Sequence, residues 1–200
     1  MISLLKEFTE ALIMALIVFL LLQVSVQNFR VEGSSMSPTI KPGEYVTVNK
    51  LGYIKVDMAR FSRLIPFWDA SDKGEVLPFQ PGGPDRGDVV VFRFPQDPSR
   101  NFVKRIIGLP GEQVSIIHGA TYIDGQLLDE TYLKVKPRDE NLEFEPLGED
   151  EYFVMGDNRP YSNDSRHWGE NFAVPLDSII GGKWLNYELP FDLGFANKAD

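Results

Sequence analysis

The feature that most constrains this chain is an apolar run close to its amino terminus. Every residue from Ala11 to Leu22 is apolar, so the apolar face would cover the whole circumference of a helix, and an amphipathic surface helix is excluded. A run of this size is short for a membrane span and typical of the apolar part of a signal peptide. Counted from Phe8 to Gln27, the stretch has about 20 residues, which is enough to cross a hydrocarbon core of about 30 Å.

The residues after the run do not look like a cleavage site. Residues 24–29 read VSVQNF and lack the pair of small residues that signal-peptide cleavage needs. We therefore predict that residues 1–28 form a retained, single transmembrane anchor rather than a cleaved peptide or a core helix. Residues 29–200 then form one domain. The charges that flank the run define its orientation only weakly.

Length and composition narrow the function classes. A chain of 200 residues has room for one ordinary domain and a short appendage. The net charge of -9 argues against a nucleic-acid partner, which needs a basic surface. The absence of cysteine excludes cysteine proteases, disulfide scaffolds and thiolate zinc sites, but it is compatible with either redox compartment.

Beyond the anchor, the sequence predicts short strands and turns. Residues 54–87 are rich in proline, glycine and charge, which predicts an irregular excursion. No long amphipathic helix pattern follows the anchor, so the predicted fold class is mostly β, with a compact all-β domain. Alternating or continuous apolar segments predict strands at 44–50, 88–94, 102–107, 114–117, 120–123, 126–128 and 151–155, with a hairpin turn at Asp124 and Gly125.

Ser35 is a candidate nucleophile that lies shortly after the predicted anchor. Gly33 permits a close approach of the backbone, and Pro38 biases Ser37 toward an extended conformation. A seryl oxygen is a weak nucleophile until a base takes its proton. Considered alone, Ser35 is therefore better explained as part of a polar loop that ties the anchor to the domain.

Lys104 is a candidate base because it lies inside a hydrophobic strand. Phe102 and Ile106 share its face of the strand, so its own side is apolar. Desolvation disfavours the ammonium form and can bring the pKa of a buried lysine toward neutral pH, where the free amine is a usable general base. The alternative is a lysine on an edge strand whose side chain reaches water.

The polar loop at residues 156–166 follows the last predicted strand and carries many short hydrogen-bonding side chains. Ser162 could donate to or accept from a neutral Lys104, and Asp164 and Arg166 could pair and brace the loop. A calcium loop is the competing interpretation. It is weakened because Ser162 occupies the position where such a loop needs glycine.

Other catalytic classes lack their motifs. The pattern G-x-S-x-G is absent, since residues 33–37 read GSSMS. Neither His118 nor His167 belongs to an H-E-x-x-H pair, which argues against a zinc protease. A Ser-His-Asp triad through His167 stays open, although a structural histidine is the commoner case. We therefore expect neither a metal nor a cofactor.

Four ordered segments resemble the bacterial type I signal peptidases, the membrane-bound Ser/Lys proteases that remove signal peptides from exported proteins. The segments are SMSPT at 35–39, RGDVVVF at 86–92, VKRIIGLPGE at 103–112, and GDNR followed by SNDSR within 156–166. Together with the predicted anchor, they bracket most of the chain.

The resemblance implies roles for individual residues. Ser35 would be the nucleophile and Lys104 the general base, with support from Ser162, which orients the lysine, and from the pair Asp164 and Arg166. It also implies a partly barrel-like β core with an extended substrate groove, on the extracytoplasmic side of the bacterial plasma (inner) membrane. At Gly33 some family members carry a hydroxyl residue that assists the oxyanion hole, so here the oxyanion would rest mainly on the Ser35 backbone N–H.

The position of Ser35 also suggests the kind of substrate. At about 3.3 Å per residue, the stretch from Val26 to Ser35 spans no more than about 30 Å, so the serine stays close to the bilayer. Signal peptides carry small side chains at their cleavage site. We hypothesise that the peptide binds as an added strand, with shallow pockets lined by Phe29, Val31, Met36 and Val103.

The predicted function is therefore that of a membrane-anchored serine endopeptidase that cleaves signal peptides from exported preproteins through an acyl-enzyme. Its predicted partners are preproteins and the lipid bilayer, with no nucleic acid. Two alternatives stay open. One is a specialised relative that matures a single substrate, such as a conjugation pilin, and the other is a membrane-tethered β module that binds exported proteins without cleaving them.

Overall fold

A computed structural model of the protein describes residues 2–50, 83–187 and 197–199. Within these ranges, one helix, α1 (Ile2–Ser25), precedes a series of strands. The strands are β1 (Val26–Val31), β2 (Tyr45–Asn49), β3 (Val89–Phe94), β4 (Asp97–Gly108), β5 (Val114–Ile117), β6 (Ala120–Ile123), β7 (Gln126–Leu127), β8 (Leu142–Glu143), β9 (Glu151–Met155), β10 (Val174–Pro175), β11 (Ile179–Tyr187) and β12 (Asn197–Ala199). Short 3₁₀ helices lie at Arg159–Tyr161, Ser165–His167, Gly169–Asn171 and Leu176–Ser178.

The strands form two sheets. The larger has the order β10-β9-β4-β3-β11-β2-β1-β12, and the smaller has the order β7-β6-β5-β8. The pairs are antiparallel except that of β1 with β12, which is parallel. The mostly β fold class predicted from the sequence is confirmed, whereas closure into a barrel stays a prediction.

Helix α1 covers the apolar run but ends earlier than the predicted boundary at residue 28. The chain leaves the helix at Ser25, and β1 begins at Val26 and pairs with β2. The physical reason is burial, because in the extended strand Phe29 and Val31 both point into the core. A helix continued to residue 28 would forfeit the strand pairing that places these two side chains.

The side chains of α1 described between Phe8 and Phe19 are exposed. Its large apolar residues in that range show between 48% and 67% of their surface. Across the described ranges, no helix combines the length and the apolar character that a membrane crossing requires.

Strand β4 is the centre of the packing because its side chains enter three buried clusters. Val103 joins the cluster beside β1 and β2, while Phe102 and Ile106 join an aromatic cluster with β3 and β9. Ile107 joins the cluster beneath the smaller sheet. The predicted alternation of faces along this strand is therefore confirmed, and β4 is fixed on both sides.

The turn between β6 and β7 matches its prediction. Asp124 and Gly125 both have positive φ, at 48° and 76°, as the preferred two-residue hairpin turns require. Most of the predicted excursion, residues 54–82, lies outside the described residues.

Candidate active site

The side chains of Ser35 and Lys104 meet inside the protein. Lys104 Nζ donates a hydrogen bond to Ser35 Oγ at 2.8 Å and another to the Val103 carbonyl at 3.1 Å. Lys104 is 1% exposed and Ser35 is 8% exposed. The amine also lies 5.0 Å from the centroid of the Phe102 ring. The two residues that the sequence proposed as nucleophile and base are thus in direct contact in a largely dry environment.

Different elements position the two partners. Lys104 lies in the middle of β4, opposite Val90 of β3. Ser35 lies in a turn after β1, where Ile40 N–H donates to the Met36 carbonyl at 3.0 Å. Met36 and Ile40, which share this hydrogen bond, are fully buried. Burial of the two neighbours therefore anchors the turn that carries Ser35.

Asn158 fastens this turn to the polar loop. Its backbone N–H donates to the Ser35 carbonyl at 2.8 Å, and its side-chain Nδ2 donates to the Ser34 carbonyl at 3.0 Å. Gly156 lies against the same carbonyl of Ser35, so closely that a Cβ at this position would overlap with it and with the Ser162 hydroxyl. The loop and the turn can approach this closely only because residue 156 has no side chain.

Asp157 joins the strand and the turn through its carboxylate. Arg105 donates from Nε to Asp157 Oδ1 at 2.8 Å and from Nη2 to Oδ2 at 2.6 Å, a bidentate pair. Thr39 Oγ1 donates to the same carboxylate at 2.5 Å. Burial lowers the pKa of Arg105, but the hydrogen bonds and charge of Asp157 outweigh it and raise this pKa above the ordinary value. The guanidinium of Arg105 therefore stays charged within the buried pair.

Asp164 and Arg166 pair as the sequence predicted. Arg166 Nε donates to Asp164 Oδ1 at 2.8 Å, and Nη2 donates to Oδ2 at 2.9 Å. Gly156 N–H donates to the same carboxylate at 3.0 Å. Burial raises the pKa of Asp164, but hydrogen bonds and charge from Arg166 outweigh it, so the net pKa is below its usual range. The predicted support of the site by this pair has a geometric basis, while its role in catalysis stays a prediction.

Ser162 lies next to the site but lacks its predicted bond. Its side chain is buried against Gly156, and its hydroxyl has no hydrogen-bond partner in the described part of the chain. The hydroxyl is close enough to Asp164 to help lower the pKa of that carboxyl, but the geometry is not that of a hydrogen bond. The expected hydrogen bond to Lys104 is therefore absent, and the amine bonds to Ser35 and the Val103 carbonyl instead.

The four residues predicted to line substrate pockets are core residues in this structure. All belong to one buried cluster and are at most 1% exposed: Phe29, Val31, Met36 and Val103. Among the described residues they line no open surface, because they pack on one another beneath the sheet. Their part in substrate preference stays a prediction.

Neither histidine bonds to the candidate nucleophile. The His118 ring is exposed, with Nδ1 3.1 Å from Asp139 Oδ1. His167 Nδ1 lies 3.8 Å from Asp164 Oδ1. The hydrogen bond to Ser35 Oγ comes from Lys104. The geometry therefore favours a lysine rather than His167 as the base.

Sequence reasoning missed three residues that hold this site, namely Arg105, Asp157 and Asn158. A local signal existed for each, because Arg105 adjoins Lys104 and the other two lie within the polar loop. Nothing local indicates that the carboxylate of Asp157 crosses to Arg105, because the two residues are 52 positions apart.

Comparisons with known proteins identify the family to which this chain is similar. The family model described as "Signal peptidase, peptidase S26" matches residues 4–187. A signal peptidase I of Pseudomonas aeruginosa is 32% identical, over 88% of this chain and 67% of that protein. A signal peptidase I of Pseudomonas fluorescens is 31% identical, over 94% and 75%. A probable signal peptidase I-1 of Synechocystis is 34% identical, over 88% and 79%.

Proposed function

Because this chain belongs to the signal peptidase, peptidase S26 family of serine peptidases, we propose that it cleaves signal peptides from exported preproteins with Ser35 as nucleophile and Lys104 as base. The observation that carries the proposal is the buried hydrogen bond of 2.8 Å between Lys104 Nζ and Ser35 Oγ. A nucleophile and a base within hydrogen-bond reach are the minimum that acyl transfer requires.

The proposed mechanism starts from an uncharged amine on Lys104. Burial disfavours an ammonium, so Lys104 takes the proton of Ser35 Oγ as that oxygen attacks the scissile carbonyl. The ammonium then gives this proton to the leaving amine, and the acyl group stays on Ser35. In the second half, Lys104 takes a proton from the water that attacks the ester, and it returns this proton to Ser35 Oγ as the tetrahedral adduct collapses and the carboxylic acid leaves.

The developing oxyanion needs a donor close to the nucleophile. The backbone N–H of Ser35 makes no hydrogen bond within the described residues, so it is available to the substrate oxygen. Gly33 brings no side-chain hydroxyl to this place. Removal of one hydrogen-bond donor to an oxyanion lowers the rate by about 10²–10³-fold. Because residue 33 is a glycine, the oxyanion here is stabilised mainly by the backbone N–H of Ser35.

Helix α1 supplies the proposed membrane anchor. Its exposed apolar side chains support this role, because a helix that shows such a surface needs an apolar environment around it. Only β1 and a short turn separate α1 from Ser35, so the nucleophile stays close to the place where signal peptides emerge. The proposed location is the bacterial plasma (inner) membrane, with a single span and the catalytic domain outside the cytoplasm.

The test is cleavage of a purified preprotein in detergent, followed by mass spectrometry of the products. Ser35→Ala and Lys104→Met should each reduce the rate by about 10³-fold or more, because each removes one half of the reacting pair. Matched controls are Ser99→Ala and Lys41→Met, which alter an exposed serine and an exposed lysine. Both controls should cleave at the wild-type rate.

The outcomes separate the competing functions. No cleavage by the wild type would favour a binding module, and an active Lys104→Met would favour a base other than lysine, such as His167. Activity of the wild type should also decline in acid, as Lys104 takes up a proton and loses its basicity. Full activity at about pH 4 would contradict a lysine base.

A further inference from the structure

A second group of buried polar side chains joins the smaller sheet to the polar loop. Arg159 of the loop forms a buried ion pair with Glu130, which lies in the connection between β7 and β8. Arg159 Nη1 donates to Glu130 Oε2 at 3.0 Å and to Thr121 Oγ1 at 3.2 Å. Thr121 Oγ1 in turn donates to Glu130 Oε2 at 2.9 Å. A carboxylate from outside the loop therefore balances the charge of a buried arginine within it.

Tyr132 connects this carboxylate to the strand that carries the base. Its hydroxyl donates to Glu130 Oε1 at 2.7 Å, and the Cζ atom of Arg105 lies 4.2 Å from the centroid of its ring. Burial, followed by the charge of Glu130, raises the pKa of Tyr132 well above its ordinary value. The phenol therefore stays neutral and keeps donating to Glu130, while its ring face receives the guanidinium.

Arg105 connects Tyr132 to the segments that carry the reacting pair. It is the residue after Lys104, and its guanidinium is held between the Tyr132 ring on one side and the Asp157 carboxylate on the other. The residue after Asp157 is Asn158, whose N–H and side chain hold the backbone of the turn that carries Ser35. The contacts thus run without a gap from Glu130 to the neighbours of both reacting residues.

We propose that Glu130 and Tyr132 are positioning residues for peptide-bond cleavage, which hold Arg105 and the polar loop so that Lys104 and Ser35 stay within bonding distance. This inference rests on the function proposed above. Neither residue touches the reacting atoms. Their effect passes through Arg159 into the loop and through Arg105 into β4, and these two elements supply the groups around the Ser35–Lys104 pair.

The test compares Glu130→Gln, Tyr132→Leu and Tyr132→Phe with the wild type in the preprotein assay. Glu130→Gln removes the charge that balances Arg159, and Tyr132→Leu removes the ring beneath Arg105. Each should lower kcat by about 10-fold or more with little change in KM, because a misplaced reacting pair slows chemistry rather than binding. Tyr132→Phe keeps the ring, so it should lower kcat by less than Tyr132→Leu.

The pH profile adds a readout that a merely structural role would not move. If the pair loosens, water reaches the amine and favours its charged form, so the acid limb of the kcat profile should shift to higher pH in Glu130→Gln and Tyr132→Leu. The controls are Tyr122→Phe and Glu143→Gln, which make the same chemical changes on β6 and β8 of the same sheet. Both should retain the wild-type kcat and acid limb.

Rates are expressed per folded molecule, with thermal unfolding measured on each variant. Glu130 and Tyr132 variants that melt at lower temperature but keep the wild-type kcat and acid limb would overturn the positioning role. If Glu130→Gln does not fold, the ordering of Tyr132→Leu below Tyr132→Phe decides, and equal rates in these two would overturn it. A wild type that does not cleave would end the proposed peptidase function first, and this inference with it.

Discussion

At the scale of the residue, Arg105 and Asp164 are each largely buried together with a side chain of opposite charge. Asp164 is fully buried, yet its pKa lies below the usual range because burial is outweighed by Arg166. The pKa of Arg105 is raised above its ordinary value despite burial, because Asp157 lies beside it. Removal of one partner leaves the other charge buried, which is the costly change.

This pairing predicts a specific acid sensitivity of stability. The folded pKa of Asp164 lies below its unfolded value of about 3.9, so its contribution is complete above that pH and is lost as the pH falls toward the folded pKa. Asp164→Asn should lower the free energy of unfolding by about 3–5 kcal/mol near pH 7, because it leaves Arg166 with one buried partner fewer. Urea unfolding between about pH 7 and pH 3 measures both effects.

The matched control for this prediction is Asp139→Asn, which removes an exposed carboxylate and should leave the unfolding free energy near that of the wild type. The stability difference between Asp164→Asn and the wild type should shrink as the pH falls below about 4, because the unfolded wild type then takes up a proton at Asp164 that the folded protein does not. A difference that stays constant over the whole range would contradict the lowered pKa.

The candidate pair itself could be predicted at the residue scale, but its supports could not. Ser35 and Lys104 are identified by their local settings and by the resemblance, and the structure places their side chains in contact. Glu130 and Tyr132 lie in a polar segment without a motif, and the sequence does not show that they reach the loop. Their contacts depend on how the smaller sheet packs against the larger one, which no local pattern encodes.

At the scale of the element, the polar loop and the turn after β1 behave as one unit. The two segments are held by hydrogen bonds from Asn158 and by the close approach at Gly156. Strand pairing does not fix either segment, so the precision of the site depends on this mutual contact. The unit should therefore be sensitive to even one added methyl group.

Gly156→Ala is the variant that tests this sensitivity. The added Cβ would overlap with the Ser35 carbonyl, which is backbone and cannot move aside without shifting the nucleophile. A displacement near 1 Å can cost about 10²-fold, so we expect a fall in kcat of that order in the preprotein assay. Gly148→Ala is the control, because its nearest neighbour is the flexible side chain of Glu151. Equal activity of both variants would show that the loop and the turn adjust independently.

The sequence predicts strands correctly where polar and apolar side chains alternate or where apolar residues form a continuous run. It misses a strand whose pattern is interrupted by glycine. The alternation in β2 and the apolar runs in β3 and β9 predict these strands correctly. Strand β11 was not predicted, because Gly181 and Gly182 weaken its pattern. In the structure Gly181 lies against the backbone of Asn49. The two strands can approach this closely because residue 181 has no side chain, and the same glycine weakens the strand pattern in the sequence.

At the scale of the whole molecule, α1 stands apart from the three buried clusters. None of the described side chains between Lys6 and Phe19 belongs to them, and all of these side chains are exposed. Residues 6–19 of the helix therefore contribute little to the core of the β domain. Its apolar surface is available to another environment, which the proposed function identifies as the bilayer.

Vesicle flotation tests this assignment of α1. Introducing two charges through Leu16→Lys and Ile17→Lys should strongly reduce flotation with phospholipid vesicles, because each lysine at the centre of a span costs about 2.5–3.5 kcal/mol. The control variant carries Leu127→Lys and Leu185→Lys, which change two exposed leucines outside α1. The control should float like the wild type. Flotation of both variants to the same extent would argue against an anchor in α1.

The hydrogen bond between Lys104 and Ser35 joins residues 69 positions apart. Such a contact forms only after β1, β3 and β4 have come together, since strand pairing at this separation pays its loop-closure entropy first. In a chain still emerging from the ribosome, or in one only partly folded, these two side chains are therefore not in contact. On the proposed function, the newly synthesised polypeptide therefore gains its proteolytic activity only once these strands have paired.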